Sequence, residues 1–436
     1  MPESQRTSWK QLVPWVLIAG TLGATAVELA LFGASDVTDA LTYAGRIGGV
    51  VLLTAAILEV VAVGALFNLA RPRPAKYSGA LVVVGLLICV LTNVVLLVLH
   101  LDGAFTPYAF FLILLPCSCW ALLRLYRAGV WSSIPHPKGF AAGVGLAGVL
   151  AVANFMYTQV YQPYTAKALV ATTVEFGTPT VRPNGSVSLP LRLRTRNTGD
   201  VAVYVLGSLY QVSARPSWYV SRPRQDRDWL QDLNTGQRDL LCYTDIPPYG
   251  HELLAQGSFV GRSGPAPTLE PGADIVTHKI VEFPKERAYE VLTATANVAY
   301  LRKDRAKLID DYTRSGASSW DKEFRYGSAA KAPEWITGGS PVNTFRFQSR
   351  IEHSTAVLEH TRAQHYVTLW WVLHEVVSES PFGPDLVAVV GTREALERRP
   401  TASETHRMKE RYGLAYAASG THQRSLSELQ KPPAKP

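Results

Sequence analysis

The pattern of apolar and polar positions changes once along this chain. Up to about residue 160 the apolar residues run in long unbroken blocks, and beyond it they alternate with polar ones over short stretches. Crossing a bilayer takes about 20 residues at about 1.5 Å rise each. Five blocks fit, at 12–33, 40–70, 79–100, 108–125 and 139–159. The loops between them are short and rich in turn formers, so the helices are expected to be neighbours in one bundle. Irregular backbone is excluded within the spans, because lipid offers no partner to a free peptide group. Arg6 and Lys10 ahead of the first block look like the start of a signal peptide. That block is too long for a signal core, holds Glu28, and is followed by four more spans, so it reads as a retained helix.

Alternation takes over in the second part. Ser188–Arg196 places leucines on one face, Asn197–Asp200 is a turn, and Val201–Tyr210 resumes, which predicts a hairpin. Further strands are expected at Asp239–Tyr243, His251–Val260, Ile275–Val281, Tyr289–Tyr300, Thr344–Ile351, His365–Val376 and Leu386–Val390. Many short strands punctuated by Gly and Pro indicate a mainly-β domain, sandwich-like, over 161–400. It is either one domain or two sheets or subdomains divided near 302–340. Thr401–Tyr412 suits a short amphipathic helix, and a disordered tail rich in Lys and Pro is expected to close residues 401–436.

Composition sharpens this division. The 436 residues are 47% hydrophobic and 18% charged, against roughly one quarter charged in average soluble domains. Residues 1–160 hold 9 Lys/Arg and 6 Asp/Glu, leaving 34 and 29 for the remainder. A uniform globular domain, a disordered chain and a fibrous chain are all excluded. Arg6, Lys10, Arg71, Arg73, Lys76, Arg124, Arg127 and Lys138 fall on one side of the five spans, and Asp36, Asp39 and Asp102 on the other. The positive-inside rule then puts the N-terminus in the cytoplasm and residues 160–436 outside the cell membrane. Trp9, Trp15, Trp131, Tyr157, Tyr161 and Tyr164 lie at expected interface depths. The 30 Arg against 13 Lys, with abundant Ala and Gly, suggest a bacterial chain from a GC-rich genome, which makes Asn184-Gly185-Ser186 a chance glycosylation match.

The candidate intramembrane polar residues are Glu28, Arg46, Glu59, Asn93 and Asn154. Ionisable residues in a span are costly and face protein or water. Glu28 and Arg46 fall at similar expected depths on antiparallel neighbours, which predicts an ion pair. Glu59 lies near mid-membrane with Asn93 and Asn154 as possible partners; the readings are a polar tie between helices, a proton or cation relay, or contact with a membrane partner. Gly45, Gly48, Gly49 and Gly64, then Gly139, Gly143, Gly145 and Gly148, allow close helix approach, within the chain or in a homo-oligomer. Pro116 is expected to kink the fourth helix, and Cys117 and Cys119 are two apart, so they do not share a helix face.

Outside the bundle, Cys242 stands alone, so no disulfide braces the β region. Trp320, Trp335, Trp370 and Trp371 are the candidate contact residues, with core anchoring the bland reading for each. His353, His360, His365 and His374 match no metal-ligand spacing. No nucleophile elbow and no phosphate-binding glycine loop occurs, so no catalytic residue, metal or cofactor is expected. The net charge of +8 does not point to nucleic acid. Arg192, Arg194 and Arg196 line one strand face, suited to anionic lipid, to a cell-wall or surface polymer, or to plain solvent. The first reading is therefore a membrane-anchored envelope or cell-surface protein, without chemistry of its own, whose exported β domain binds a protein or polymer. The alternatives are an accessory subunit of a larger membrane enzyme or transporter, and a membrane enzyme with a site at the outer bilayer face.

Overall fold

A computed structural model describes residues 9–69, 77–99, 105–130, 143, 150, 153–154, 157, 165–216, 226–227, 230, 252–260, 266–285, 289–309, 317–318, 333–337, 343–373, 385–392 and 398–429. The chain divides into two compact units, residues 1–165 with 352–364, and residues 166–351 with 365–436.

The first unit is helical. It contains α1 (Trp9–Asp39), α2 (Tyr43–Leu69), α3 (Ser78–Leu99) and α4 (Phe105–Arg127). Three of these, α1 to α3, are long and apolar enough to cross a membrane among the described residues. The fourth runs on through Pro116. The fifth expected span falls for the most part outside the described residues. Many large apolar side chains of the unit face outward, and its interior mixes large residues such as Ile18, Leu22, Leu66 and Leu86 with small ones. Val27, Leu31, Ile57, Val60, Phe67 and Val98 are exposed, whereas Ala26, Ala56, Ala62 and Thr25 are buried. Such a bundle suits lipid, where close backbone approach supplies the packing.

Two glycine contacts set the helix register. A Cβ on Gly49 would stand 2.8 Å from the Gly33 carbonyl oxygen and 2.7 Å from the Val37 amide nitrogen, and one on Gly33 would stand 2.9 Å from the Leu53 amide nitrogen. A Cβ on Gly85 would collide with Ala62 and touch Leu22 at 3.5 Å. Glycine is required at these crossings because backbone occupies the space beside Gly33 and Gly49 and the Ala62 Cβ occupies it beside Gly85.

The second unit is β-rich, with helices interrupting it. Its first sheet joins β1 (Val170–Phe176), β2 (Thr180–Val181), β3 (Ser186–Asn197) and β7 (Asp274–Pro284). The second joins β4 (Val203–Pro216), β5 (Glu252–Gly257), β6 (Thr268–Leu269), β8 (Tyr289–Arg302), β14 (Ala415–Ala418) and β15 (His422–Ser425). The third joins β9 (Ala306–Leu308), β10 (Ala317–Ser318), β11 (Asn343–His353), β12 (His365–Leu373) and β13 (Asp385–Gly391). The short helices are α5 (Glu334–Thr337), α6 (Ala356–Thr361), α7 (Ala402–Tyr412) and α8 (Leu426–Leu429).

The second sheet carries a core on each face. On one face Leu189, Leu191 and Leu193 of β3 meet Val212, Leu292, Ala294 and Val298. On the other, Leu206, Ala299 and Leu301 meet Ile351, Val367, Leu369 and Val390. A register shift between Val205 and Gly207 makes this possible. Before it, Val203 and Val205 face the first core; after it, Val212 and Ala214 do. Leu206 is the extra residue and faces the opposite core beside Tyr204; beyond it alternation has changed phase, so the even-numbered Val212 and Ala214 take the side that the odd-numbered Val203 and Val205 held.

The expected hairpin of Ser188–Arg196 with Val201–Tyr210 does not form. Their strands β3 and β4 belong to different sheets, each pairing with other partners. The turn is a crossing between sheets, fixed by Asn197, whose Nδ2 donates to the Val201 and Leu269 carbonyls at 2.8 and 2.9 Å. Gly199 fits against the 167–169 backbone, where a Cβ would lie 2.5 Å from Leu169 N. Local alternation is blind to this, because both pairings bury the same leucines. The expected strand at Asp239–Tyr243 lies outside the described residues. Beyond α7, β14 and β15 add to β8 as far as Ser425, and the expected Lys- and Pro-rich disordered tail at 431–436 lies outside the described residues.

Candidate functional site

The helical unit encloses a layer of polar side chains. Thr21, Thr25 and Glu28 recur along α1 at the spacing of one helix stripe. Glu59 sits on the buried row of α2 between Ala56 and Ala62, and Cys89 and Asn93 lie on the buried row of α3. The glycine contacts bring these rows to one depth. Gly33 meets Gly49 and Leu53, so Glu28, five residues back on α1, is level with positions 54–58 of α2, one residue short of Glu59. Gly85 meets Ala62 and Leu22, so Cys89, four residues on, is level with position 58 of α2 and position 26 of α1.

Hydrogen bonds within the layer agree with that register. Thr25 Oγ1 and Cys89 Sγ are 3.2 Å apart. Asn93 Nδ2 donates to the Cys89 carbonyl at 2.9 Å and to Thr25 Oγ1 at 3.4 Å. Glu59 and Asn93 are both 0% exposed. Glu28, Glu59 and Cys89 lie within electrostatic range of one another. Glu28 Oε2, both Glu59 carboxylate oxygens and Asn93 Oδ1 are buried without a hydrogen-bond partner.

Glu28 and Arg46 do not pair. Arg46 is exposed and its Nε donates to the Ala40 carbonyl at 3.4 Å. The reason is register. α2 begins at Tyr43, so Arg46 stands in its first turn. Glu28 is level with a stretch at least eight residues further on, about 12 Å deeper along the helix. Asn154 is exposed.

At the end of α1 a second constellation forms with residues 352–364, which belong to the same unit. Asp36, 3% exposed, accepts from the Ala356 amide at 2.5 Å, at the first turn of α6. The Leu41 amide donates to the Ser354 carbonyl at 3.1 Å. The rings of Phe32 and His360 lie 5.4 Å apart. A Cβ on Gly45 would stand 3.3 Å from Thr355 Cγ2. Within the segment, Thr355 caps α6, and His353 Nδ1 meets Glu359 Oε2 at 2.8 Å. No signal in the sequence marks 352–364 as part of the helical unit, since its residues resemble those of any polar loop.

Of the described tryptophan candidates, one is buried and two are half-buried. Trp370 is 5% exposed, with the Arg346 guanidinium 5.5 Å from its ring centre. Trp371 packs with Phe345 and Phe347 against the second core. Both faces of β12 are covered, because Val367 and Leu369 are buried on one side and Thr368 and Val372 on the other. Trp335 is half-buried in α5, and Trp320 lies outside the described residues. The arginine face of β3 is balanced by acids on neighbouring strands: Arg194 meets Asp274 at 2.7 Å and Arg192 meets Glu175 at 3.6 Å. Sequence reading gave the basic residues their face but not these partners, which come from β1 and β7. No group of three His, Cys, Asp or Glu placed for a metal occurs among the described residues.

Apolar helices of crossing length followed by a β-rich region make this a membrane-associated protein by architecture. No family model and no curated protein matches the chain. Among solved structures, it is similar to the putative ApaA protein from Bordetella pertussis at 13% identity, over 31% of this chain and 80% of that one, with a TM-score of 0.18. Northeast Structural Genomics Consortium target SoR45 matches at 10% identity, over 31% and 74%, with a TM-score of 0.18. The sporulation control protein Spo0M from Bacillus subtilis matches at 10% identity, over 60% and 92%, again with a TM-score of 0.18. These likenesses are too slight to bear on fold or function.

Proposed function

We propose that the chain is a multi-pass cell-membrane protein that holds a sandwich-like β module on the outer surface, where the module binds a protein or a surface polymer. The observation that supports this reading is the seating of residues 352–364 on the end of α1 and the start of α2, through Asp36, Leu41 and Gly45. That segment lies between β11 and β12 in sequence with no apolar block of crossing length on either side, so this reading gives the strands the same membrane side as the α1–α2 turn. The turn carries Asp36 and Asp39, and Asp102 lies between α3 and α4 on the same side, whereas Lys10, Arg71, Arg73, Lys76, Arg124 and Arg127 lie at the opposite helix ends, a distribution that supports an outward-facing turn. From a cytoplasmic N-terminus, only an odd number of crossings returns the chain to that side before residue 352. Beyond the three described helices of crossing length, α4 and the apolar block at 139–159 would supply the fourth and fifth crossings.

A protease-protection experiment on intact cells with a tag at the C-terminus tests it. Digestion of the tag without breaking the cells is the expected result, and protection until lysis overturns the topology. The outer-face enzyme reading loses its ion pair, because Arg46 and Glu28 stand at different depths. The β module offers opposed charges on its strand faces, suited to a binding role rather than to a basic platform for nucleic acid.

A further inference from the structure

Glu59 is buried and Glu28 half-buried within the helical bundle, and no cation is hydrogen-bonded to Glu28 Oε2 or to either carboxylate oxygen of Glu59. A bare carboxylate in such a place is costly unless an attractive partner offsets its lost hydration. Something must supply positive charge to the layer. The four unpartnered atoms are Glu28 Oε2, Glu59 Oε1, Glu59 Oε2 and Asn93 Oδ1. Every one is an acceptor, and no donor in the layer is left over. What the layer lacks is hydrogen bound to oxygen, with a positive charge.

Asn93 is the independent witness. Its amide group is oriented by donation from Nδ2 to the Cys89 carbonyl and Thr25 Oγ1, which leaves Oδ1 without a donor in a position 0% exposed. A buried amide oxygen left free is costly unless a donor visits it. By the glycine register Asn93 lies one turn above Cys89, at the depth of Glu28. A water molecule offers hydrogens but no charge. A metal ion needs several ligands converging on one point, and the acidic and thiol groups of this layer do not converge so.

We propose that Glu28 and Glu59 form an intramembrane proton-binding pair, with Asn93 Oδ1 as the acceptor that orients the bound proton. A hydron from solvent adds to a carboxylate oxygen of Glu59, giving a neutral carboxyl O–H. That O–H donates to Asn93 Oδ1 or to Glu28 Oε2, and the second carboxylate keeps or shares the remaining negative charge. No bond other than O–H forms or breaks, and release is the reverse step. Thr25 and Cys89 line the pair as neutral polar groups. The ligand class is the proton, not an alkali or divalent cation.

Infrared difference spectroscopy of the full chain in lipid nanodiscs tests this. The expected result is a C=O stretch of a protonated carboxyl that grows as the pH is lowered. It shifts to lower frequency in D2O, loses intensity in Glu59→Gln and in Glu28→Gln, and vanishes in the double variant. Absence of the band at every pH overturns the proposal. So does a band that neither titrates nor exchanges, which would mark a static structural acid. So does a band that sodium or potassium displaces, which would mark a cation site. Asn93→Leu guards against a misfolded glutamine variant: it is expected to move the C=O frequency, because the O–H loses its acceptor. An unmoved band in a chain with unchanged circular dichroism overturns the role of Asn93.

Discussion

The carboxylate of Asp36, near the end of α1, accepts a hydrogen bond from the backbone amide of Ala356 at 2.5 Å, across 320 positions of sequence. It acts as a helix cap supplied from another element. Asp36→Ala is expected to loosen residues 352–364 by about 1 kcal/mol, the usual worth of a cap. Hydrogen exchange of that segment, read by mass spectrometry, would show faster exchange in Asp36→Ala and a smaller effect in Asp36→Asn. Equal exchange in all three chains would deny the cap its role.

Arg302 is 3% exposed and is held on three sides. Its Nε and Nη2 donate to the two Asp304 carboxylate oxygens at 2.9 and 2.5 Å, and its Nη1 donates to the Ala166 carbonyl at 2.6 Å. Removing Asp304 would strand a buried guanidinium. Asp304→Ala is therefore expected to lower the stability of the β unit by about 3–5 kcal/mol, seen as a fall in its Tm. Arg302→Met, which removes the charge and keeps the length, should cost less, because the Asp304 side chain is 21% exposed and can reach water.

Gly413 ends α7 in the left-handed region, at φ 62°, and a Cβ there would run into the Arg302 side chain. Gly413→Ala combines backbone strain with a clash, so it should destabilise by about 1–3 kcal/mol. Gly420 serves as the control: it also has positive φ, at 71°, but has open space around it. Gly420→Ala should show the strain alone, and the smaller loss of the two in chemical denaturation.

The start of α7 should weaken in acid. Hydrogen bonds from Arg398 first, and then from the Thr401 amide and hydroxyl, hold the Glu404 carboxyl at about 2, below its ordinary 4.5. A depressed folded value means that the stabilisation is complete above 4.5 and is lost as pH falls from there through about 2. Amide protection at the first turn of α7 should fall over that window, and Glu404→Gln should flatten the dependence. A wild-type profile already flat in that range would refute the pairing.

Packing at the α1–α2 crossing admits no side chain. Gly49→Val would drive methyl groups into the Gly33 carbonyl and the Val37 amide. It is expected to cost about 1–3 kcal/mol by overpacking, measured as thermal stability in detergent. Gly64, with nothing within 4 Å of a Cβ, should accept alanine without loss.

Much of this fold was legible in the chain. Strands β3, β8, β11 and β13 stand within a few residues of where alternation puts them. The helices α1 to α3 stand where unbroken apolar runs put them, because both signals are local. Short strands such as β14 and β15 escaped notice, since four residues carry too little alternation to stand out. The candidate site was half legible. Glu28, Glu59 and Asn93 were visible as polar residues in apolar runs, but their grouping was not.

By itself the sequence determined which segments are helical or extended, which part is apolar all round, and which helix ends carry positive charge. Each of these follows from short-range periodicity and from the cost of placing charge in lipid. Tertiary structure alone decided the partners. The glycine crossings set the depth of Glu28 against Glu59 and carried Arg46 away from both. The bulge at Leu206 chose which core each residue of β4 enters. The seating of residues 352–364 on Asp36 joined positions 320 apart. Contacts of that kind depend on shape and register between elements, and no local pattern encodes them.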